Sequence, residues 1–551
     1  MARLYIEVGR VVDAVLQEGV GLKAALYRHA FASDARVVCK LAAATIGEEA
    51  SLRAALKGAG VTAAIDASSE GLMLAMAYDM LLGSGVRGGG RLKRELTTVL
   101  PKLRASLKAA QKRRKDRKDL DSLPATGAAL ATLPRYVRIN RLRLSSDAAA
   151  AEARRALDQE LRRKSVESGG GIDKTLLVPD EVVPDLLVAP SHARPWLHGW
   201  SAIDDGTLVL QDRSSCLAAL SAGLSPGTFV LDACSAPGSK TAHAVELLRG
   251  SGRVVACEQN PKRAATLIKR LRQLCRIHRG TSVKLRGGKK KNADCEDSWF
   301  SSLSESSLKP GSVLRFHSSQ VPVEVHVGDF LNCNPAAEPF CNVEVLLVDP
   351  SCSGSGLPDH HLGCEAAVPL SLSRLRGLAA FQRRILAHAL RFPAARTVVY
   401  STCSTHREEN EDVVEEVLRE SPTPPFRVVQ ALSWWRNAPD AYGGHGGDLP
   451  NWANLCIRCD PATHRCRGFF LCRLDRLPDG EVPEALPPRP SAVKRPREAA
   501  SQEKVGNDTS NAAKRRRKRR PSKKASQAIS LPVISSKPRK AKTRGLRLGV
   551  R

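Results

Sequence analysis

Two cysteines stand where apolar runs give way to turns: Cys352 in "LLVDPSCSGSGLP" and Cys403 in "VVYSTCSTHREENEDVV", 51 residues apart. A thiol is a nucleophile only as its thiolate, which nearby positive charge or helix N–H groups favour. The first run also delivers Asp349, then Pro350, which stiffens the turn, then Gly354 and Gly356, which open space beside it. An acid held there can hydrogen-bond a flat heterocycle. Either cysteine alone reads more readily as a small buried hydrophobe than as a nucleophile. Two of them at the carboxyl ends of successive strands, beside an acid, read as one reactive crevice.

A third stretch, "VLDACSAPGSKTAHAVELL", carries an apolar run into Asp232, a Pro237-Gly238 turn and a helix opening near Lys240 and Thr241. Small residues there let backbone N–H groups approach a ligand, and the helix start adds free donors, as in a nucleotide-type site. It lacks G-x-G-x-x-G, which argues against a dinucleotide. The following run, "GRVVACEQN", ends in Glu258, 26 residues beyond Asp232, an acid suited to a pair of ribose hydroxyls. Cys456-x-x-Cys459, with His464, Cys466 and Cys472 beyond, has the opening spacing of a zinc ribbon. Because Cys472 sits within an apolar run and the pairs are close together, a loop and terminal strand are expected instead, with no metal.

These residues need a sheet to bring them together. From about residue 200 apolar β-branched runs alternate with helix-like segments, as in "VEVHVGDF" (323–330), "VEVLLVDP" (343–350) and "RTVVYSTCS", and "RGFFLCRLD" near 470 offers one more strand. That rhythm predicts an α/β domain, doubly wound and mostly parallel, over 201–476. Residues 276–320, rich in Gly, Ser and Lys, are expected to be a flexible surface insertion. Before the sheet, 1–125 reads as a helical region ending in a basic run, and 126–200 as a small α/β subdomain. In the latter, "LPRYVRINRLRL" (133–144) alternates like a strand with one cationic face.

The net charge is +30, and residues 491–551 alone hold 20 Lys or Arg against 3 Asp or Glu. A polyanion partner, nucleic acid above all, follows from that excess. The tail 477–551, with "KRRRKRRPSKK" among Pro, Ser and Ala, is expected to be disordered and to act as a nuclear address or nucleic-acid arm. No stretch suits a membrane span and the charged start reads as no signal peptide. The 15 cysteines are scattered, as expected for reduced thiols in the nucleus or cytosol.

With its motifs "DACSAPGSKT", "GDF", "DPSCSGSG" and "YSTCS" followed by "EENEDVV", in that order over roughly 130–475, the chain resembles the Nop/Sun family of S-adenosylmethionine-dependent RNA cytosine-5 methyltransferases. "DPSCSGSG" and "LLGSGVRGGGRLK" look like the branch acting on large-subunit ribosomal RNA. The resemblance implies a class I, Rossmann-like methyltransferase fold. It implies that Cys234, Ser235, Ala236, Pro237, Gly238, Ser239 and Lys240 wrap the methionine part of S-adenosyl-L-methionine and that Glu258 holds its ribose. Arg263 matches a basic family residue, Asp329 would lie near the adenine, and Asp349 would recognise the cytosine beside the cofactor. Cys403 would be the nucleophile and Cys352 would assist product release. Ser235 departs from the family's usual alanine. A monomer in the nucleus, in particular the nucleolus, is implied, with the tail associating with pre-ribosomes.

The chemistry agrees. Carbon 5 of cytosine is a poor nucleophile, and a thiolate added at carbon 6 makes it enamine-like. The base must be single-stranded or extruded from its stack, and the basic amino-terminal region and the 126–200 subdomain would bind the RNA. Three alternatives remain open at this point. An amino methyltransferase would leave Cys403 idle, a DNA-type enzyme would attack with Cys352, and a ribosome-assembly scaffold would have lost activity.

Overall fold

The structure, a computed structural model, describes residues 2–118 and 133–481, apart from 18–21, 30, 62–68, 87–89, 168–176, 198, 276–281, 285–290, 293–307, 319–320, 358–371, 421–424, 436–449 and 479. Helices α1 (Ala2–Leu16), α2 (Leu22–Arg28), α3 (Ala35–Gly47), α4 (Glu49–Gly58), α5 (Glu70–Leu81), α6 (Arg91–Thr98) and α7 (Leu100–Lys118) open the chain. They close on a core of their own that includes Val8, Leu52, Leu74, Leu96 and Leu103. The basic run divides into α6 and α7, with Pro101 in the first turn of α7, where its missing N–H costs nothing. Leu96, Leu103 and Leu107 face the core, while Arg94, Lys102, Arg104 and Lys108 face outward.

A four-stranded antiparallel sheet comes next, in the order β2 (Val178–Pro179), β3 (Leu186–Ala189), β1 (Arg135–Ile139), β4 (Leu208–Leu210). Leu157 and Leu161 of α8 (Asp147–Glu167) share a core with Val137, Ile139 and Leu187 of this sheet. The expected cationic face of β1 is not there. Arg138 is only 1% exposed, donates from Nε to Gln211 Oε1 at 3.0 Å and pairs with Glu246. Arg141 pairs with Asp185, and Arg143 donates to the carbonyl of Gln273 at 2.6 Å. The alternation of the strand holds, but its cations are turned to the protein rather than to a polyanion. A guanidinium whose donors are met by carboxylates and carbonyls can be buried. Arg138 and Arg143 fasten the small sheet to the larger α/β domain, and Asn140 adds donations to the carbonyls of Gly206 and Leu274 at 2.7 and 2.8 Å.

The remainder of the chain builds a mixed sheet. Its elements are α9 (Arg213–Ser221), β5 (Phe229–Asp232), α10 (Ser239–Leu247), β6 (Arg253–Glu258), α11 (Pro261–Leu274), β7 (Ser282–Lys284), β8 (Lys291–Asn292), β9 (Val313–Ser318), β10 (Val321–Val327) and β11 (Val345–Val348). Then come α12 (Leu372–Ala389), β12 (Thr397–Thr402), α13 (Glu411–Arg419), β13 (Phe426–Val429), β14 (Ile457–Cys459) and β15 (Phe469–Arg476). The strand order is β13-β15-β12-β11-β5-β6-β10-β9-β7-β8, with β14 paired to β15. From β12 to β10 every neighbour is parallel, and both flanks are antiparallel. Residues of α9, α10 and α11 join the core on one face, and those of α12 and α13 the core on the other. This is the doubly wound, Rossmann-like class that the rhythm of the chain leads one to expect.

The winding runs outward from β5 through β6 to β10, then returns to β11 on the other side of β5. A reversal of that kind opens a crevice at the carboxyl ends of the two strands where it occurs. It falls at Asp232 and Asp349.

The expectation of a flexible insertion over 276–320 needs correction. Residues 313–318 form β9, which pairs antiparallel with β10, with Leu314 and Phe316 buried and Arg315 outward. That period-two pattern in "VLRFHS" is masked by the Ser- and Lys-rich sequence before it. Most of the remaining insertion, and the tail beyond 481, lie outside the described residues. Among the described residues no helix is long and apolar enough to cross a membrane.

Candidate active site

The turn after β5 has the shape its small residues predict. Gly238 lies at φ +106°, and a Cβ on it would come within 2.8 Å of Leu267 Cδ1, so the turn into α10 tolerates no side chain. Asp232, at the end of β5, is buried and accepts from the Thr241 hydroxyl at 2.7 Å. Burial pushes its carboxyl up to about 6 against that hydrogen bond. Ser235 turns away from the crevice, its backbone N–H and its Oγ donating to the Cys257 carbonyl at 3.0 and 2.8 Å. Cys234 packs with the core on the α12 side, and burial followed by neighbouring carboxylates holds its thiol well above the usual value. Thus within 234–240 the chain presents mainly backbone to a ligand.

Glu258 ends β6 and is 3% exposed. Burial raises its carboxyl above the ordinary range, opposed by Arg263 and by the backbone N–H groups of Asn260, Ala236 and Gln259. Arg263 braces the turn, donating to the Ala236 carbonyl at 2.9 Å with its guanidinium 3.5 Å from Glu258. At the end of the next strand Asp329 caps the short turn Phe330–Asn332 by accepting from the Leu331 N–H at 3.0 Å. The Gly328 N–H donates to the Glu258 carbonyl at 3.0 Å, tying the two acids' strand ends together. Two fixed acids beside a backbone-lined turn at a helix start suit a nucleoside carrying hydroxyls and a charged chain.

Lys240 does something its place in the motif does not suggest. Its Nζ donates to Asp349 Oδ2 at 2.7 Å and lies 5.5 Å from the centre of the Phe469 ring. Val348 stands opposite Tyr400 in the register of β11 and β12, which sets Asp349 beside Ser401, whose hydroxyl donates to Oδ1 at 3.2 Å. Burial would push the Lys240 ammonium down, but Asp349, and after it Cys403, outweigh burial and hold it above the usual lysine value. A cation kept charged beside Cys403 favours a thiolate there.

The two thiols meet. Cys352 Sγ lies 3.0 Å from Cys403 Sγ, and both residues are half-buried. The hydrogen bond to Cys403, then burial, then the charges of Cys403, Glu409 and Asp349 hold the Cys352 thiol well above its ordinary value, so it keeps its proton. Their two turns are laced together. Gly356 N–H donates to the Cys403 carbonyl at 3.0 Å, Thr405 N–H to Ser355 Oγ at 2.9 Å, and Ser353 Oγ to Ser404 Oγ at 3.1 Å. A Cβ on Gly356 would come within 2.1 Å of the Gly468 carbonyl oxygen, which cannot yield as a flexible side chain would. Gly356→Ala is therefore expected to push the Cys352 turn off the Gly468 segment, lowering stability by roughly 1–3 kcal/mol as overpacking does and activity further still. Thermal melting beside a methylation assay checks this; an alanine variant of wild-type stability and activity contradicts that close approach.

Among the described residues no cluster could hold a metal ion. The carboxy-terminal thiols fall into two pairs on opposite faces of the sheet, Cys459 with Cys466 in one core and Cys456 with Cys472 in the other. Ser401, Phe469, Gln382, Glu409 and Asn410 belong to the site's surroundings, and sequence reasoning missed them. Glu409 and Asn410 lie within "EENEDVV", an acidic run that gives no sign of being buried.

The model of the 16S rRNA methyltransferase RsmB/F family matches residues 220–300 and 324–475. A Mus musculus 28S rRNA (cytosine-C(5))-methyltransferase is 31% identical over 498 residues, covering 88% of this chain and 95% of the relative. A Caenorhabditis elegans 26S rRNA (cytosine-C(5))-methyltransferase is 27% identical over 501 residues, covering 87% and 99%. Among solved structures, that of PH0851 superposes on 86% of this chain and 99% of its own with a TM-score of 0.50 and 17% identity, a likeness of fold.

Proposed function

The chain belongs to the Nop/Sun family of RNA (cytosine-C(5))-methyltransferases, and from that premise we propose that it methylates carbon 5 of a cytosine in large-subunit ribosomal RNA, with Cys403 as nucleophile and Cys352 assisting release. Its methyl donor is of the S-adenosylmethionine type. The large-subunit substrate is supported by the mouse and nematode relatives, which this chain spans almost end to end. The observation that carries the division of labour is the Lys240 ammonium, held by Asp349, near Cys403, while Cys352, 3.0 Å away, keeps its proton.

Cys403, as thiolate beside the Lys240 ammonium, adds to carbon 6 of the base. Asp349, fixed by Lys240 and Ser401, accepts from the amino group at the polar edge of the base, and the Lys240 ammonium steadies the negative charge that develops during addition. When bound, S-adenosylmethionine supplies an electrophilic methyl group to carbon 5. Carbon 5 then gives up its proton to water, that electron pair reforms the ring double bond and expels the Cys403 sulfur, and the S–H of Cys352 can protonate that sulfur, Cys352 regaining its proton from solvent. The cofactor would be held by backbone of the 234–240 turn, by Glu258 and by Asp329, with Arg263 holding the turn itself. The outward Arg94, Lys102, Arg104 and Lys108 of α6 and α7 would track the RNA backbone, with affinity falling as salt rises. The protein would work as a monomer in the nucleolus, with the basic 491–551 segment as its address and as a contact to pre-ribosomes.

Glu258→Ala is expected to weaken binding of S-adenosylmethionine about tenfold or more, the loss that goes with a hydrogen bond to a charged group. Calorimetry on the full chain measures it, and unchanged affinity would remove Glu258 from the site. Bisulfite sequencing of large-subunit ribosomal RNA from cells with and without the protein tests the function itself. One cytosine should lose its protection when the protein is absent; no change at any position would refute the reading.

A further inference from the structure

The residues on either side of Cys352 are pinned from behind by two buried side chains. The Ser351 carbonyl accepts from Gln382 Nε2 at 3.1 Å, and the Ser353 N–H donates to Glu409 Oε1 at 2.8 Å. Gln382 Nε2 also donates to that same Oε1 at 2.9 Å, so the two side chains brace each other. Gln382 comes from α12 and Glu409 from the turn after β12, and neither is exposed to solvent. Glu409 is fixed in turn by its own backbone, whose carbonyl accepts from the buried Tyr400 hydroxyl at 2.6 Å. Its neighbour Asn410 reaches the loop of the other thiol, accepting from Thr402 Oγ1 at 2.5 Å and donating to the Ser404 carbonyl at 3.0 Å.

We propose that Glu409, braced by Gln382, is a positioning residue that fixes the Cys352 turn against Cys403 and so governs the release of product rather than the attack on the base. The proposal rests on Cys352 being the releasing thiol. Attack needs only Cys403, Lys240 and Asp349, whereas the hydrogen bonds of the Glu409 and Gln382 side chains go to the backbone flanking Cys352 and to each other. Release needs the Cys352 sulfur at a set distance from Cys403, and this pair holds the backbone on both sides of Cys352. A displacement of about 1 Å in a reacting group can cost on the order of 100-fold in rate, while the fold keeps its cores.

The test compares wild type with Cys352→Ala, Glu409→Ala, Gln382→Leu and Glu409→Gln in the full chain. The substrate is large-subunit ribosomal RNA from cells lacking the protein. Denaturing gels read the covalent RNA–protein species, and the first turnover of methyl incorporation is timed separately from later ones. In Glu409→Ala and Gln382→Leu the covalent species should accumulate several-fold over wild type. The first turnover should stay within about twofold and later turnovers slow roughly tenfold. Glu409→Gln keeps an acceptor for both N–H groups and should return the adduct toward the wild-type level, which a lesion in the fold alone would not. If Glu409→Ala melts at too low a temperature to assay, Gln382→Leu carries the comparison.

Loss of the first turnover together with the adduct, at an unchanged melting temperature, would overturn the proposal, as would adduct levels like wild type's in both variants. If Cys352→Ala itself fails to accumulate adduct, the assignment of Cys352 has failed, and the clamp's role falls with it. Accumulation in Cys352→Ala alone would sink only the clamp.

Discussion

Replacing Cys403 by serine removes methyl transfer, by on the order of 10⁴-fold or more as for other covalent nucleophiles, and leaves no covalent RNA–protein species on a denaturing gel. Replacing Cys352 by alanine does the opposite to the covalent species, which builds up. The two thiols lie 3.0 Å apart, so position alone cannot separate their tasks; their surroundings can. Cys403 has the Lys240 ammonium near it, whereas Cys352 has Glu409 and Asp349, which disfavour its ionisation. The sulfur beside the cation attacks, and the sulfur beside the carboxylates keeps its proton to give away. An adduct that vanishes with Cys352 and persists without Cys403 would reverse the assignment. A Cys403→Ser enzyme with full activity would mean chemistry without a covalent step, such as amino methylation.

Lys240→Met is the second large effect. The substitution keeps most of the side chain's length and removes its charge, leaving the Asp349 carboxylate without the partner that holds Oδ2. Removing one preorganised charged donor from a site of this kind costs roughly 10²–10³-fold in turnover. Lys240→Arg should not restore activity, because a planar guanidinium cannot occupy the point that one ammonium fills between Asp349 and the Phe469 ring. The charge makes a second, independent readout available. Iodoacetamide should alkylate Cys403 more slowly at neutral pH in Lys240→Met than in wild type, since less of it is thiolate. Asp349→Asn should be slow as well, and in the double variant the losses should be less than additive, because the two groups act as a pair. Additive losses, or unchanged alkylation, would mean that Lys240 serves only the cofactor.

Much of this site is legible without coordinates. Runs of β-branched residues ending in Asp232, Glu258, Asp349 and Cys403 can only be strands delivering side chains to one edge, and the Pro-Gly turns beside them say which edge. Partnership across the chain is what cannot be read. Lys240 and Asp349 are 109 residues apart, and only the placing of β11 next to β5 brings them into contact. The arginines of β1 look like a surface for nucleic acid, because a strand's alternation tells which residues share a face but not what packs on it. Arg138 meets Glu246 there instead. The acidic run after Cys403 misleads in the same way. Glu409 and Asn410 look like a solvated helix start, yet they are fully buried and hold the two thiol turns.

The most direct measurement is mass spectrometry of the covalent species trapped by Cys352→Ala on large-subunit ribosomal RNA, after digestion of both RNA and protein. The nucleotide mass should ride on the peptide that contains Cys403, attached through a cytidine. A cytidine on any other peptide, or no covalent species when the variant still methylates, would contradict the account at its centre.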